Sequence, residues 1–360
     1  AVVVHPDIDY VRVQTETERL ILAEQQLEIL DGSASVLDRM KGVDLLGKKY
    51  KPVFKLPNQS YSNNCWSVLE ADYVTVEDGS GIVHIAPAFG VEDHDVALRH
   101  GLPVVNPISS SGHFNDELDL VAGKWFKDAD DAVIGALKRN KLLLKKVAYT
   151  HNYPFDWRKG TPLMSYPVES WFIKTTEIKD RLVQLNETIN WHPASVQQGR
   201  FGNWLENNVD WALSRKRFWG TPLPIWVSED ADSKEIEVIG SIEELRSKLG
   251  KSFPDKLDLH RPFVDEFTWR GKDGSLMKRV PDVLDVWFDS GAMPFAQWHY
   301  PFENIQKFEN SFPADFICEG IDQTRGWFYT LHAIAALVKG EKAFKNVVVN
   351  GLVLDEKGEK

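Results

Sequence analysis

The run Glu319-Gly-Ile-Asp-Gln-Thr-Arg-Gly326 groups two carboxylates, an amide and a guanidinium with two glycines. Gly320 lets the backbone approach a ligand closely. Glu319 and Asp322 can accept hydrogen bonds from ribose hydroxyls or from an ammonium. A helix opening here would favour a phosphate or carboxylate at its N-terminus. A capping cluster that only starts a helix explains the same residues equally well, because a junction becomes a site only where a cleft exists.

Three further clusters carry possible chemistry. In Asp285-Val-Trp-Phe-Asp-Ser-Gly291, two acids flank two large aromatics. Trp287, with Trp327, could wall a pocket for an aliphatic side chain; an inward-packed Trp beside a polar turn is the ordinary alternative. Trp211-Ala-Leu-Ser-Arg-Lys-Arg-Phe-Trp-Gly220 interleaves cations with aromatics. That pattern suits phosphate contact and base stacking, although a solvated face is the commoner explanation of three charges. In the stretch Gly81-Ile-Val-His-Ile-Ala-Pro followed by Glu92-Asp93-His94, Asp93 reads most simply as first-turn helix charge and His84 as a satisfied side chain.

The elements that must position these groups fall into two styles. Up to about Thr150 the chain is rich in strand signals, at 2–13, 73–76, 82–85 and 142–149, punctuated by Asp78-Gly-Ser-Gly81. Helical patterns interrupt them at 19–30, 92–100 and 128–140, and Asp128-Ala-Asp-Asp131 suits the start of the last. Pro154, Gly160, Pro162 and Pro167 then break regular structure and place a domain boundary near 152/153. Beyond it, 174–187 and 194–207 have helical periodicity. A strand at 315–319, a helix at 323–339 and a strand at 346–350 predict a parallel, doubly wound sheet, which binds ligands just outside its carboxyl ends.

The chain has 360 residues, enough for two domains, with 43% hydrophobic and 26% charged residues, as in an ordinary globular protein. No apolar run approaches the roughly 20 residues that span a bilayer, and no basic-then-apolar leader is seen. Cys65 and Cys318 form no C-x-x-C, which argues against a disulfide framework or a structural zinc and suits a reducing cytoplasm. The net charge of −11 removes a global attraction for nucleic acid but leaves room for a local basic patch.

Taken in order, W-x-L-S-R-x-R-x-W-G, D-V-W-F-D-S-G and E-G-x-D-Q-x-R-G-W-F resemble the class I aminoacyl-tRNA synthetases, and within them the isoleucyl-tRNA synthetases. The wording of 81–90 is similar to the eukaryotic cytosolic branch. The resemblance implies an α/β fold in which a strand-rich, barrel-like editing domain (1–152, its N-terminal part missing) is inserted in a Rossmann-type catalytic domain. The second half of that catalytic domain would be 153–360. It implies a cytoplasmic ligase that joins isoleucine to tRNA(Ile) with ATP and Mg²⁺, that hydrolyses mischarged Val-tRNA(Ile), and that joins a multi-synthetase complex but no membrane.

By the same resemblance, Glu319, Gly320, Asp322, Gln323, Asn350 and Lys360 would contact ATP or the adenylate. Trp287 and Trp327 would shape the isoleucine pocket. His84 and Asp93 would serve editing, with Asp93 holding the α-amino group, and Arg215, Lys216 and Arg217 would contact tRNA. No side chain is assigned as a catalytic acid or base, and no residue as a metal ligand. Asp156 stands where bacterial relatives carry a cysteine, which counts against a zinc site. The family's HIGH motif and the threonine-rich editing wall are expected before Ala1. The KMSKS loop is expected to begin at Lys360. The sequence thus reads as a fragment that neither activates isoleucine efficiently nor edits well alone. A free-standing editing hydrolase would not need the strand-helix-strand at the end. A noncatalytic scaffold would not need its retained acids.

Overall fold

In the computed structural model, residues 1–358 are described except 31, 55–61, 78, 157 and 158, and the chain divides into two units, Ala1–Val168 and Glu169–Lys360. The first unit is strand-rich. Its strands are β1 (Val2–Val4), β2 (Asp9–Gln14), β3 (Arg19–Ala23), β4 (Ser35–Lys41), β5 (Val68–Glu70) and β6 (Val83–His84). One sheet has the order β5-β1-β6, parallel then antiparallel, and the other is an antiparallel β3-β2-β4. In β2, Tyr10, Val11 and Val13 are buried while Arg12 faces solvent. The Tyr10 hydroxyl donates to the Gly81 carbonyl at 2.6 Å, binding this sheet to the turn that leads into β6. Gly81 has φ +72°, and a Cβ there would lie 2.5 Å from Ala23 Cβ, so the turn needs glycine on both counts.

Two helices complete the unit, α1 (Val91–His100) and α2 (Asp130–Arg139). In α1, Glu92 and Asp93 lie in the first turn, Arg99 and His100 in the last, and left-handed Gly101 ends it, in line with the helix dipole and capping rules. The helix expected at 19–30 is instead β3 followed by a 3-10 turn, Glu24–Ile29. Thr15 closes the tight turn against Glu18, which hands Arg19–Ala23 to β2 as a ladder partner, and pairing overrides the helix-like spacing. The strands expected at 73–76 and 142–149 have no ladder partner among the described residues. Residues 153–168, expected with the second domain, fold with the first unit. There Phe155 bridges Pro162, Tyr153 donates to the Leu163 carbonyl, and Lys127 lies 4.2 Å from the Tyr153 ring centre.

The second unit opens with β7 (Phe172–Ile173), α3 (Lys179–Glu187), β8 (Asn190–His192), α4 (Gly202–Glu206), β9 (Trp211–Ala212) and β10 (Ser214–Arg215). A small antiparallel subdomain follows, made of β11 (Ile225–Ser228), β12 (Ile236–Val238), α5 (Ile242–Leu249), β13 (Trp269–Arg270) and β14 (Leu276–Arg279), with strand order β12-β11-β14-β13. Next come β15 (Val283–Leu284), α6 (Val286–Gly291), α7 (Met293–Ala296) and α8 (Ile305–Ser311). The unit ends with β16 (Ile317–Gly320), α9 (Trp327–Lys339) and β17 (Asn346–Asn350).

The strand, helix and strand expected near the end are present as β16, α9 and β17, and the sheet β16-β17-β8 is parallel throughout. Helix α9 is apolar on nearly every side, as a helix enclosed by other elements must be. Phe328 and Leu331 join Leu182, Trp191, Phe201 and Val347 in the main core. Among the described residues no helix is long and apolar enough to cross a membrane.

Candidate functional site

The parallel register of β16 and β17 sets Gly320 opposite Asn350, so two of the predicted contact residues leave the sheet side by side at its carboxyl edge. Glu319 is exposed there, with no hydrogen-bond or ion-pair partner among the described residues. A Cβ on Gly320 would meet Asp322 Oδ1 at 2.6 Å; the glycine leaves room for that carboxylate to fold back over the strand end. Gln323 is partly committed to structure, because its Oε1 accepts from the Trp327 backbone N–H at 2.9 Å and caps α9. Asn350 Nδ2 lies 3.2 Å from Cys318 Sγ. Lys360 falls outside the described residues.

The two predicted tryptophans stand at the N-terminal ends of α6 and α9. A Cβ on Gly326 would come within 3.1 Å of the Trp287 ring and 2.8 Å of Gln323 Oε1, so the glycine lets both side chains pack close to the backbone. Trp327 Nε1 donates to the Ser290 carbonyl at 3.1 Å. The helices themselves approach through Gly291, where a Cβ would lie 2.9 Å from the Thr330 backbone carbonyl. Trp287 keeps 41% of its surface exposed, which leaves its ring available to a ligand.

Asp285 holds this arrangement; the sequence marked it as one of the two acids of its motif but gave it no role. Its side chain is buried and caps α6 through the Trp287 N–H. It also accepts from Trp211 Nε1 at 3.1 Å and from Arg215 Nη2 at 2.7 Å. The tryptophan and first arginine of W-x-L-S-R are thus bonded to the first aspartate of D-V-W-F-D-S-G. Arg215 is spent on this pair and on the Ala212 and Ser214 carbonyls, and Lys216 lies 3.3 Å from Asp282. Of the three predicted tRNA cations only Arg217 is exposed without an ion-pair partner among the described residues.

In the first unit, His84 lines a cavity of about 300 Å³ with Phe54, Trp66, Ala86, Phe89 and Leu102 among its walls. The imidazole is solvent-exposed at the rim, yet surrounding protein desolvates it and lowers its pKa below 6.5, against a smaller opposing pull from Asp93. Asp93 is held behind the Ala86 wall. Its Oδ1 accepts from the Tyr73 hydroxyl at 2.6 Å and its Oδ2 from the Ala86 N–H at 2.9 Å. Burial and this carboxylate raise the Tyr73 pKa well above its usual value, so the phenol stays a donor. Tyr73 was invisible as a partner because it lies twenty positions from Asp93 in the chain. Among the described residues no three His, Cys, Asp or Glu side chains converge on a metal-sized site.

A family model described as tRNA synthetases class I (I, L, M and V) matches residues 17–360. The chain belongs to this family. The isoleucine–tRNA ligase of Thermobifida fusca is 49% identical over 370 residues, covering 100% of this chain and 34% of its own length. That of Thermus thermophilus is 48% identical over 361 residues, again with 100% and 34% coverage. That of Clostridium kluyveri is 45% identical over 359 residues, covering 99% and 34%. The chain therefore spans about a third of the length of these curated relatives. Bacterial relatives this near do not single out the eukaryotic branch suggested by the wording of 81–90. Within this class I chain, the matched span contains the whole second unit and most of the first.

Proposed function

We propose that the chain is part of an isoleucine–tRNA ligase with an editing activity, its first unit serving hydrolytic editing and its second serving aminoacylation. One observation supports the reading: Gly320 and Asn350 leave the sheet side by side at the carboxyl edge of β16 and β17, and Gly326, a few residues on, lies against the Trp287 ring. In this reading β16-β17-β8 is part of a Rossmann-type catalytic sheet, and polar groups at its edge hold the adenylate as such sheets hold nucleotides. The carboxylates of Glu319 and Asp322 suit ribose hydroxyls or the α-ammonium of isoleucine. Trp287 and Trp327 supply the flat apolar walls for its side chain. Magnesium enters with ATP as part of the substrate. What the chain contributes is positioning and electrostatics around the attack of the amino acid carboxylate on the α-phosphate.

The need for a second site follows from hydrophobic energetics. One methylene separates ligands by only about 1–3 kcal/mol, a limit for which isoleucine against valine is the standard illustration. In the first unit, the proposal gives the cavity beside His84 to the valyl group of a mischarged tRNA(Ile), with the Asp93 carboxylate attracting its ammonium from behind the Ala86 wall. Tyr73 and the Ala86 N–H keep that carboxylate oriented. A cytoplasmic setting and a place in a larger synthetase assembly belong to the same reading.

The test is ligand-induced stabilisation of the chain by a non-hydrolysable isoleucyl-adenylate analogue. At one hundred times its dissociation constant such a ligand adds about 2.7 kcal/mol to the stability of what binds it. The isoleucyl analogue should stabilise at lower concentration than the leucyl analogue, and Trp287→Ala should remove the difference. Equal response to both analogues, or to neither, would overturn the assignment.

A further inference from the structure

One side chain without a role so far reaches from the opening of the second unit to the turn that follows β16. Arg200 Nε donates to the Thr324 hydroxyl at 2.9 Å, joining positions 124 residues apart. Thr324 is fully buried in the 3-10 turn Ile321–Arg325, which carries Asp322 and Gln323. Its hydroxyl donates in turn to the Ile321 carbonyl at 2.7 Å. The one hydroxyl proton is thereby committed to the turn, and a lone pair is left for the guanidinium. A second link runs alongside, with the Arg325 guanidinium 5.3 Å from the centre of the Trp204 ring.

Arg200 lies in a single π turn, Gln197–Phe201, just ahead of α4. Such turns are rare and recur at functional sites. A Cβ on Gly202 would lie 2.7 Å from the Gln197 carbonyl oxygen, so glycine lets the wide turn close. Both ends of the turn are anchored. Gln197 Nε2 donates to the Asn186 and Ile189 carbonyls at 2.9 and 2.8 Å, and Asn186 Nδ2 donates to the Gln197 carbonyl at 2.9 Å. Phe201 is fully enclosed, its ring centre 4.9 Å from that of Trp191 and 5.7 Å from that of His332. Arg200 stands exposed between these anchors, and its bond to Thr324 is the only one its side chain makes among the described residues.

A short 3-10 turn has poor internal hydrogen bonding and depends on contacts from outside. Gln323 ties the far end of this one to α9 through the Trp327 N–H, and Arg200 ties its middle to the π turn. We propose that Arg200 is a positioning residue for the adenylate edge. Through Thr324 it keeps the turn in the arrangement that presents Asp322 and Gln323 to the ligand, without touching the ligand itself. A turn that spends only a fraction of its time in that arrangement binds more weakly by that fraction. The proposal rests on the ligase reading for the identity of the ligand; the hold on the turn stands apart from it.

The experiment measures dissociation constants of isoleucyl- and leucyl-adenylate analogues for the full chain by calorimetry, together with hydrogen exchange of the peptide 319–327 in the free protein. Arg200→Gln should weaken both analogues about tenfold, the low end for a hydrogen bond to a charged group because Arg200 is exposed. Their ratio should not change, since the tryptophan corner is untouched. Thr324→Val should weaken both analogues in the same way, whereas Thr324→Ser keeps the hydroxyl and should stay near the wild-type value. The double variant Arg200→Gln/Thr324→Val should bind no more weakly than the weaker single variant. The 319–327 peptide should exchange faster in Arg200→Gln, with the α5 peptide unchanged. A lowered thermal midpoint with unchanged affinity of the folded protein would reduce Arg200 to a structural contact and overturn the proposal. Weakened binding in Arg200→Gln but not in Thr324→Val would make Arg200 a direct ligand contact and overturn it equally. If the wild type bound neither analogue, the ligase reading would fall. The hold on the turn would then be decided by exchange alone, and an unchanged rate in Arg200→Gln would refute it.

Discussion

His332 offers a quantitative test of the core. It lies on α9 with its side chain fully enclosed, Nε2 2.9 Å from the Leu182 carbonyl and Nδ1 without a partner among the described residues. Burial lowers its pKa from 6.5 to about 4, a shift that the bond to Leu182 only partly opposes. The folded state therefore keeps a neutral ring where the unfolded chain takes up a proton. The stability at stake is fully present above pH 6.5 and is lost as pH falls toward 4. At about 1.4 kcal/mol per pKa unit, the loss between pH 7 and pH 5 is about 2 kcal/mol, and about 3 kcal/mol by pH 4. Glutamine can place an amide N–H near the position of Nε2 and does not titrate. Urea unfolding followed by tryptophan fluorescence should show the wild type losing about 2 kcal/mol more than His332→Gln over that interval. Other titrating groups are common to both proteins and cancel. Parallel pH profiles would refute the claim that this buried ring carries the acid sensitivity.

Three further outcomes follow from the contacts. Asp285→Asn should cost about 2 kcal/mol, below the range for a fully buried pair because Arg215 is 41% exposed, and should weaken the adenylate analogue by misplacing Trp287; urea titration and ligand-induced stabilisation measure the two effects. Gly291→Ala drives a methyl against the Thr330 backbone at 2.9 Å and should destabilise by about 1–3 kcal/mol, read from thermal unfolding; a neutral result would mean that α6 and α9 part easily. Tyr73→Phe removes one hydrogen bond to the Asp93 carboxylate, worth about 1.5–3 kcal/mol. Under the proposed function, deacylation of Val-tRNA(Ile) by protein carrying this substitution should fall while α1 keeps its helical signal.

How much of this was legible depended on distance along the chain. The strand-helix-strand around α9 was readable because continuous apolar runs and a polar junction are local signals, and β16, α9 and β17 lie close to the expected bounds. The helix α1 was readable for the same reason, from the acids and bases at its two ends. The run 19–30 misled because its first apolar residues, Leu20 to Ala23, serve equally well as a short strand once a turn brings them against β2. The valine and tyrosine of 142–149 have strand propensity but no ladder partner among the described residues, and propensity without a ladder makes no strand. At the candidate site, residue types pointed to Glu319, Asp322 and the tryptophans. They could not reveal that Asp285 bonds Trp211 and Arg215, residues 74 and 70 positions away. Nor could they show that Arg215 and Lys216 are spent on carboxylates, which only the folded pairing discloses.

The Asp285 anchor also has an evolutionary meaning. Trp211, Arg215 and the first turn of α6 all depend on one carboxylate, so changes at these positions cannot be weighed separately. A substitution at any one alters what is tolerated at the other two, and double variants should depart from additivity. Drift in either motif is then possible only as a coordinated step. The pair would be inherited as a single epistatic block, although seventy residues of chain lie between its halves.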